Sequence, residues 1–275
     1  LLATRASALG FETDLGGSVR VPAAFCGLPA ITPTTGRCDD LGRFSTPLGQ
    51  RAIASQVGVM GRSVSDVALG LQVLNGGASP VQNGRLTPAM PRGDPQAIDI
   101  TGLRVAWYDD DSTFTPAPAV CRAVREAVAD LQARGASVQP WSPPDLTLAR
   151  NLFYGALGAD GYASRSAALG RDPRDRRIAA MEMAMKRMAF ADLVLGLSGR
   201  GRLKREVVAT YGHGDTQHYW RLLETLHDFR AGFLQSFAPF DVLMCPATAL
   251  PALRHGATEE LAVAGTYSSL FNVLG

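Results

Sequence analysis

Between Ser63 and Gly76 the apolar residues Val64, Val67, Ala68, Leu71 and Leu74 recur at helical spacing, which predicts a helix with one buried face. Ser63 with Asp66 has the form of a capping box, and Gly76 suits the C-terminal cap. Over residues 77–100 the period gives way to Gly, Pro, Asn and Gln, which predicts a long surface connection. Leu103-Arg-Val-Ala-Trp107 then reads as a strand and Asp109–Asp111 as an acidic turn. A helix is expected from near Thr115-Pro116 to Gly135, with Val120, Val124, Val128 and Leu131 on one stripe. Ala136-Ser-Val-Gln-Pro140 is a second strand. That order, strand–helix–strand, predicts parallel pairing across a helical crossover. Residues 147–208 read as helices, and so do 216–237, which carry Tyr219, Leu222, Leu226, Phe229 and Phe233 toward a core. Asp241-Val-Leu-Met-Cys245 looks like a buried strand closed by Pro246, and 261–274 like a last helix. With no internal repeat, the sum is an α/β fold read as one domain over 1–275. It has a mixed, largely parallel β-sheet core flanked by helices on both faces.

Composition narrows the class. The 275 residues are 46% hydrophobic and 19% charged, enough to bury a sizeable core, which disfavours disorder and fibrous folds. Net charge is only +2, and the 27 cationic residues include just two lysines, Lys186 and Lys204, leaving 25 arginines. So mild and scattered a charge predicts no nucleic-acid partner. Cysteines at 26, 38, 121 and 245 form no C-x-x-C pair, so they are read as reduced thiols of a cytoplasmic protein. No run of about 18 apolar residues offers a membrane span. The chain begins Leu-Leu and stops within Ser-Leu-Phe-Asn-Val-Leu-Gly275, so truncation at both ends is expected.

The candidate chemistry lies in Thr13-Asp-Leu-Gly-Gly-Ser-Val-Arg20. A serine hydroxyl attacks a carbonyl only when a base takes its proton and donors stabilise the resulting oxyanion. Gly16-Gly17-Ser18 can supply those donors, because residues without Cβ let consecutive N–H groups converge. Pro22 can sit at the start of a short helix whose dipole favours negative charge. By spacing alone an ordinary turn fits as well. A phosphate loop of the G-x-x-x-x-G-K-[ST] type does not, since no lysine lies near the glycines.

A longer pattern carries more. Leu9-Gly-Phe-Glu-Thr-Asp-Leu-Gly-Gly-Ser-Val-Arg-Val-Pro-Ala-Ala-Phe-Cys-Gly27, continued by Pro33-Thr-Thr-Gly-Arg37, resembles the amidase signature family of serine hydrolases. Val57-Gly-Val-Met-Gly-Arg-Ser-Val-Ser-Asp-Val-Ala68 and, later, Asp241–Pro246 with Tyr267-Ser-Ser-Leu-Phe-Asn272 resemble further blocks of that family. The resemblance implies an amidase that cleaves a carboxamide C–N bond of a small-molecule substrate through a serine acyl-enzyme, without cofactor or metal. By position it implies Ser18 as nucleophile, and Leu15, Gly16, Gly17 and Ser18 as backbone donors of the oxyanion hole. Asp14 and Arg20 are implied as buried structural partners rather than proton carriers.

The family's lysine base and bridging serine, the latter in a G-S-S-G-G motif about two dozen residues before the nucleophile, have no counterpart here. Only seventeen residues precede Ser18. Lys186 and Lys204 have the wrong order and neighbours, so the chain as it stands is expected to be inactive.

Other candidates take bland readings. Asp109–Asp111 is expected to be a solvated turn, His213, His218 and His227 match no metal spacing, and Cys26 is expected to be buried and structural. Ala180–Leu197 resembles in place the membrane-meeting cap of fatty-acid amide hydrolases, but is short and broken by Gly-Arg-Gly-Arg, so a core helix is expected. Two rival readings stay open: the amidase component of a tRNA-dependent amidotransferase, and a non-catalytic relative or inactive fragment that uses the old pocket to bind a ligand or partner. No motif encodes oligomeric state, and a homodimer stays open.

Overall fold

The computed structural model describes residues 1–38, 50–76, 93–161, 163–176, 179, 215–257 and 261–275. The sequence pattern reads as one domain over 1–275, whereas in the structure the chain divides into two compact units. Leu1–Arg43, Ala54–Leu146 and Arg230–Gly275 form the first, Phe44–Ile53 and Thr147–Phe229 the second.

The first unit holds two three-stranded sheets, one of each sense, flanked by helices. In the antiparallel sheet β3 (Gln56–Met60) lies between β1 (Gly10–Asp14) and β2 (Ala30–Ile31). Asp14, the last residue of β1, pairs with Gln56, so the loop that follows starts from a fixed strand end. Regular structure resumes in α1 (Arg20–Cys26), starting two residues before the proline expected near its beginning. Pro22 sits in that first turn between two helical bonds, Val21 N–H to Gly17 O (2.8 Å) and Ala23 N–H to Val19 O (3.2 Å), where its fixed φ suits the helix and one bond is forgone. Val19 is 0% exposed and packs with Leu2, Ala23 and Met60, which pins the loop from below.

α2 (Val64–Gly76) opens on the expected capping box. The Ser63 N–H donates to Asp66 Oδ2 (3.0 Å) and the Asp66 N–H to Ser63 Oγ (3.1 Å), satisfying two otherwise orphaned donors. Its buried stripe runs through Val67 and Gly70. Val64, expected on that stripe, is exposed.

In the parallel sheet β4 (Arg104–Trp107) lies between β5 (Ser137–Pro140) and β6 (Val242–Met244). The expected strand–helix–strand unit is present, with α3 (Pro118–Ala133) as the crossover burying Val124 and Val128. It starts two residues later than the sequence pattern indicates, since Ala117 is extended (φ −62°, ψ 143°), as a residue before proline prefers, and its N–H donates to Ala249 O. β6 is less buried than expected. Among the described residues it is paired on one side only, by β4, and Val242 is exposed. The last helix is preceded by a 3-10 turn over Ala262–Gly265.

In the second unit α4 (Leu146–Gly158) buries Ala149, Leu152, Phe153 and Ala156 at helical spacing, and α5 (Ala163–Leu169) follows. α6 (Thr216–Phe237) matches the expected bounds. Leu226 and Phe229 are buried in its part of the second unit. In its last turns, which belong to the first unit, Phe233 meets Trp141 edge-on at 5.3 Å. α7 (Thr266–Leu274) closes the chain. Most of the expected connection over 77–100 lies outside the described residues. So do His213, Lys186, Lys204, and Met181–Met188 with Phe190–Leu197.

Candidate active site

Everything around Ser18 is organised by the carboxylate of Asp14, which is 0% exposed. Its Oδ1 accepts from the N–H of Gly17 (2.7 Å), from Arg20 Nη2 (2.8 Å) and from Asn272 Nδ2 (3.2 Å). Its Oδ2 accepts from the N–H of Val19 (3.1 Å), Arg20 Nε (3.0 Å) and Thr32 Oγ1 (3.2 Å). Every lone-pair direction is engaged. Burial works against the charge on Asp14, but the Arg20 guanidinium and the Gly17 and Val19 N–H groups outweigh it and hold the carboxyl at about 2. At neutral pH the group is therefore a charged anchor.

Arg20, the other half of the pair, is fork-bonded to Asp14 and continues into α7. Nη1 donates to Ser268 O (2.7 Å) and Nη2 to Asn272 Oδ1 (2.5 Å), and the guanidinium lies 5.9 Å from the Phe271 ring centroid. Ser268, Phe271 and Asn272 fall on one face of α7. The sequence offered a signal for them: Ser and Asn four residues apart within an apolar helix must find partners once buried.

Between these anchors the backbone turns sharply. Gly17 has φ +122°, and a Cβ there would lie 2.7 Å from Ser268 Cβ, so both backbone and space demand glycine. Gly17 is buried while Ser18, the next residue, is exposed. No hydrogen bond among the described residues engages the Ser18 hydroxyl or the N–H groups of Gly16 and Ser18. The Gly17 N–H, by contrast, is turned inward onto Asp14. The loop thus presents a hydroxyl and unspent donors at its tip.

Next to Arg20 a cavity of about 440 Å³ opens, lined among others by Thr32, Gln56, Pro246, Ser268 and Asn272. Gln56 braces one wall, its Nε2 donating to Thr35 Oγ1 (3.1 Å) and its Oε1 accepting from the Gly36 N–H (3.3 Å).

The bland candidates resolve differently. Cys26 is exposed rather than buried, because it falls on the outer face of α1 while Ala23 takes the inner one. Asp109–Asp111 is not simply solvated. Asp109 pairs with Arg125 (2.5 Å), and Asp111 Oδ1 accepts from the Thr113 N–H (2.8 Å). Burial lifts the Asp111 carboxyl above the usual range, against those backbone donors. His218 and His227 are exposed.

A family model for amidases matches residues 1–275. The chain belongs to the amidase family. A fatty acid amide hydrolase 1 of Caenorhabditis elegans is 28% identical over 100% of this chain and 49% of its own length. An acetamidase of Aspergillus oryzae is 34% identical over 58% of the chain and 30% of its own. A glutamyl-tRNA(Gln) amidotransferase component of Marinobacter nauticus is 28% identical over 95% of the chain and 53% of its own. Among solved structures a fatty acid amide hydrolase superposes with a TM-score of 0.79 at 24% identity, covering 99% of this chain and 44% of that one. The chain therefore has the amidase signature fold and spans about half the length of the curated relatives that it matches end to end. No helix among the described residues is long and apolar enough to cross a membrane.

Proposed function

We propose that the complete protein hydrolyses a small-molecule carboxamide through an acyl-enzyme on Ser18, within a single amidase domain to which both units belong. The Ser18 oxygen adds to the carbonyl carbon, and the C–N bond breaks with release of ammonia or an amine. Water then cleaves the ester to a carboxylic acid and restores the hydroxyl. The N–H groups of Leu15, Gly16 and Ser18 receive the oxyanion. Gly17 serves by its positive φ and its missing Cβ, its own N–H being held by Asp14. Asp14 and Arg20 support the loop. Proton removal needs a base within hydrogen-bond reach of Ser18, which the family resemblance assigns to a lysine acting through a bridging serine. No cofactor enters these steps. A cytoplasmic location and a homodimer belong to the same proposal.

The observation that carries this reading is the saturated Asp14 carboxylate, which fixes a turn with an exposed serine at its tip. The test is labelling of the full-length gene product by a fluorophosphonate probe. Covalent labelling lost in Ser18→Ala is the expected result. Labelling that survives the substitution would overturn the assignment.

A second reading rests on the alignment with the amidotransferase component, which covers 95% of the chain against 100% for the nematode amide hydrolase at the same 28% identity. In that case glutamine is the preferred amide and a partner protein takes the ammonia. Release of ammonia from glutamine, raised by a co-purifying partner, would select it over hydrolysis of other amides.

A further inference from the structure

Asp14 and Arg20 lie within four residues of Ser18, yet neither is held by the loop alone. The side chain that bonds to both comes from the far end of the sequence. Asn272 Nδ2 donates to Asp14 Oδ1 (3.2 Å) and to the Asp14 carbonyl oxygen (3.3 Å), while its Oδ1 accepts from Arg20 Nη2 (2.5 Å). Its orientation is chemically forced. Rotated by half a turn, the amide would set its NH₂ against a guanidinium and its oxygen against a carboxylate. Asn272 is 5% exposed, so water does not substitute for it.

One turn earlier on the same helix, the Ser268 carbonyl takes Arg20 Nη1 (2.7 Å). The Ser268 side chain occupies the space a Cβ at Gly17 would need, and its hydroxyl donates to Ala247 O. Helix α7 thus touches the loop at two levels, at Gly17 through Ser268 and at Asp14 and Arg20 through Asn272.

We infer that Asn272 is a positioning residue for Ser18: it locks the Asp14–Arg20 pair from α7 and so sets where the Gly16–Ser18 turn presents its hydroxyl and N–H groups. The inference rests on the Ser18 reading above. Asn272 touches no reacting atom and acts through Asp14 and Arg20. The chemistry explains why asparagine suits the position, since the pair needs a donor toward the carboxylate and an acceptor toward the guanidinium from one neutral group. Leucine offers neither, and an ionised carboxylate offers only the acceptor.

The test is the rate of fluorophosphonate labelling of the full-length gene product, with thermal unfolding followed by circular dichroism on the same samples. In Asn272→Leu the maximal labelling rate is expected to fall on the order of 10- to 100-fold while half-saturation for the probe stays within about two-fold, as for a nucleophile misplaced in an intact pocket. Asn272→Asp supplies a second readout, because its introduced carboxyl can mimic the amide only when protonated. Asp14 and Arg20 are the charged groups facing that position, with Arg230 bonded to Val273 O just beyond (2.6 Å). The labelling rate relative to wild type is therefore expected to fall as rising pH ionises the introduced carboxyl. Unchanged labelling in Asn272→Leu, or a loss that only tracks the folded fraction together with a flat ratio in Asn272→Asp, overturns the inference and leaves Ser18 standing. Absence of labelling in the wild-type protein removes the Ser18 reading and this inference with it.

Discussion

Among the described residues two bidentate arginine–aspartate pairs stand out, Arg20–Asp14 and Arg104–Asp241, and they make opposite uses of the same chemistry. Arg20–Asp14 sits under the loop with the carboxylate side chain 0% exposed, and Arg104–Asp241 ties the start of β4 to β6 with its carboxylate 37% exposed. Both carboxyls are held at about 2. At Asp14 burial opposes the charge and is overcome. At Asp241 the hydrogen bond from Arg104 is the leading influence, and burial is minor. Equal acidity therefore says nothing about equal importance. A solvated pair can come apart into water at little cost, whereas a buried one leaves an uncompensated charge in a dry site.

The sharpest way to break the comparison is to remove the arginine from each pair. Arg20→Leu leaves the Asp14 carboxylate buried with its strongest partner gone, and urea denaturation is expected to show a loss of about 3–5 kcal/mol together with loss of Ser18 labelling. Arg104→Leu is expected to cost far less and to leave labelling intact. Equal losses in the two variants would mean that burial does not distinguish them.

A second test separates steric from electrostatic support. Gly17→Ala combines a φ of +122° with a Cβ 2.7 Å from Ser268, whereas Gly27→Ala combines a φ of +64° with no atom within 4 Å. Strain alone predicts about 1 kcal/mol for Gly27→Ala, and strain plus displacement of α7 roughly twice that or more for Gly17→Ala. Only the latter is expected to slow labelling.

How much of this could be read from the chain follows the same division between local and distant partners. The Ser63–Asp66 capping box, the α3 crossover and the bounds of α6 were legible because neighbours within a few residues determine them. The loop was legible as a motif; its two expected partners do pair, with Asp14 buried and the Arg20 side chain 18% exposed. Asn272 and Ser268 were read only as part of a family-like block; their four-residue spacing in an apolar helix signals that they need partners, but contacts across some 250 residues of sequence leave nothing that says which. The inward turn of the Gly17 N–H was hidden for a related reason. A glycine pair announces free donors but not which of them a carboxylate will claim. Cys26 misled because apolar neighbours predict burial of a segment, whereas the helical phase decides which face of α1 each residue takes.

The pH dependence sharpens the comparison further. Asp14 has a folded pKa of about 2, below the ordinary 3.8, so it contributes stability that is complete above the unfolded value and disappears as pH falls through the folded one. The shift corresponds to about 2 kcal/mol. Wild-type Tm is expected to decline between about pH 4 and pH 2, and Asp14→Asn to flatten that decline while lowering Tm at neutral pH. Asp241 titrates over the same range with the same sign, so a decline flattened equally by Asp241→Asn would assign the acid sensitivity to the wrong pair.

The smallest effect is expected from Asp241→Asn at neutral pH. The substitution removes the charge, but the backbone bonds between the strands persist, including the Asp241 N–H to Arg104 O (2.8 Å), and an amide oxygen can still accept from the Arg104 N–H. Arg104, already 52% exposed, turns to water. A change in Tm of about 2 °C or less, shrinking further as salt is added, is the outcome an exposed pair predicts. A larger, salt-insensitive drop would show that Arg104–Asp241 carries the register of β4 and β6 rather than decorating its edge. The two pairs would then be alike in consequence as well as in acidity.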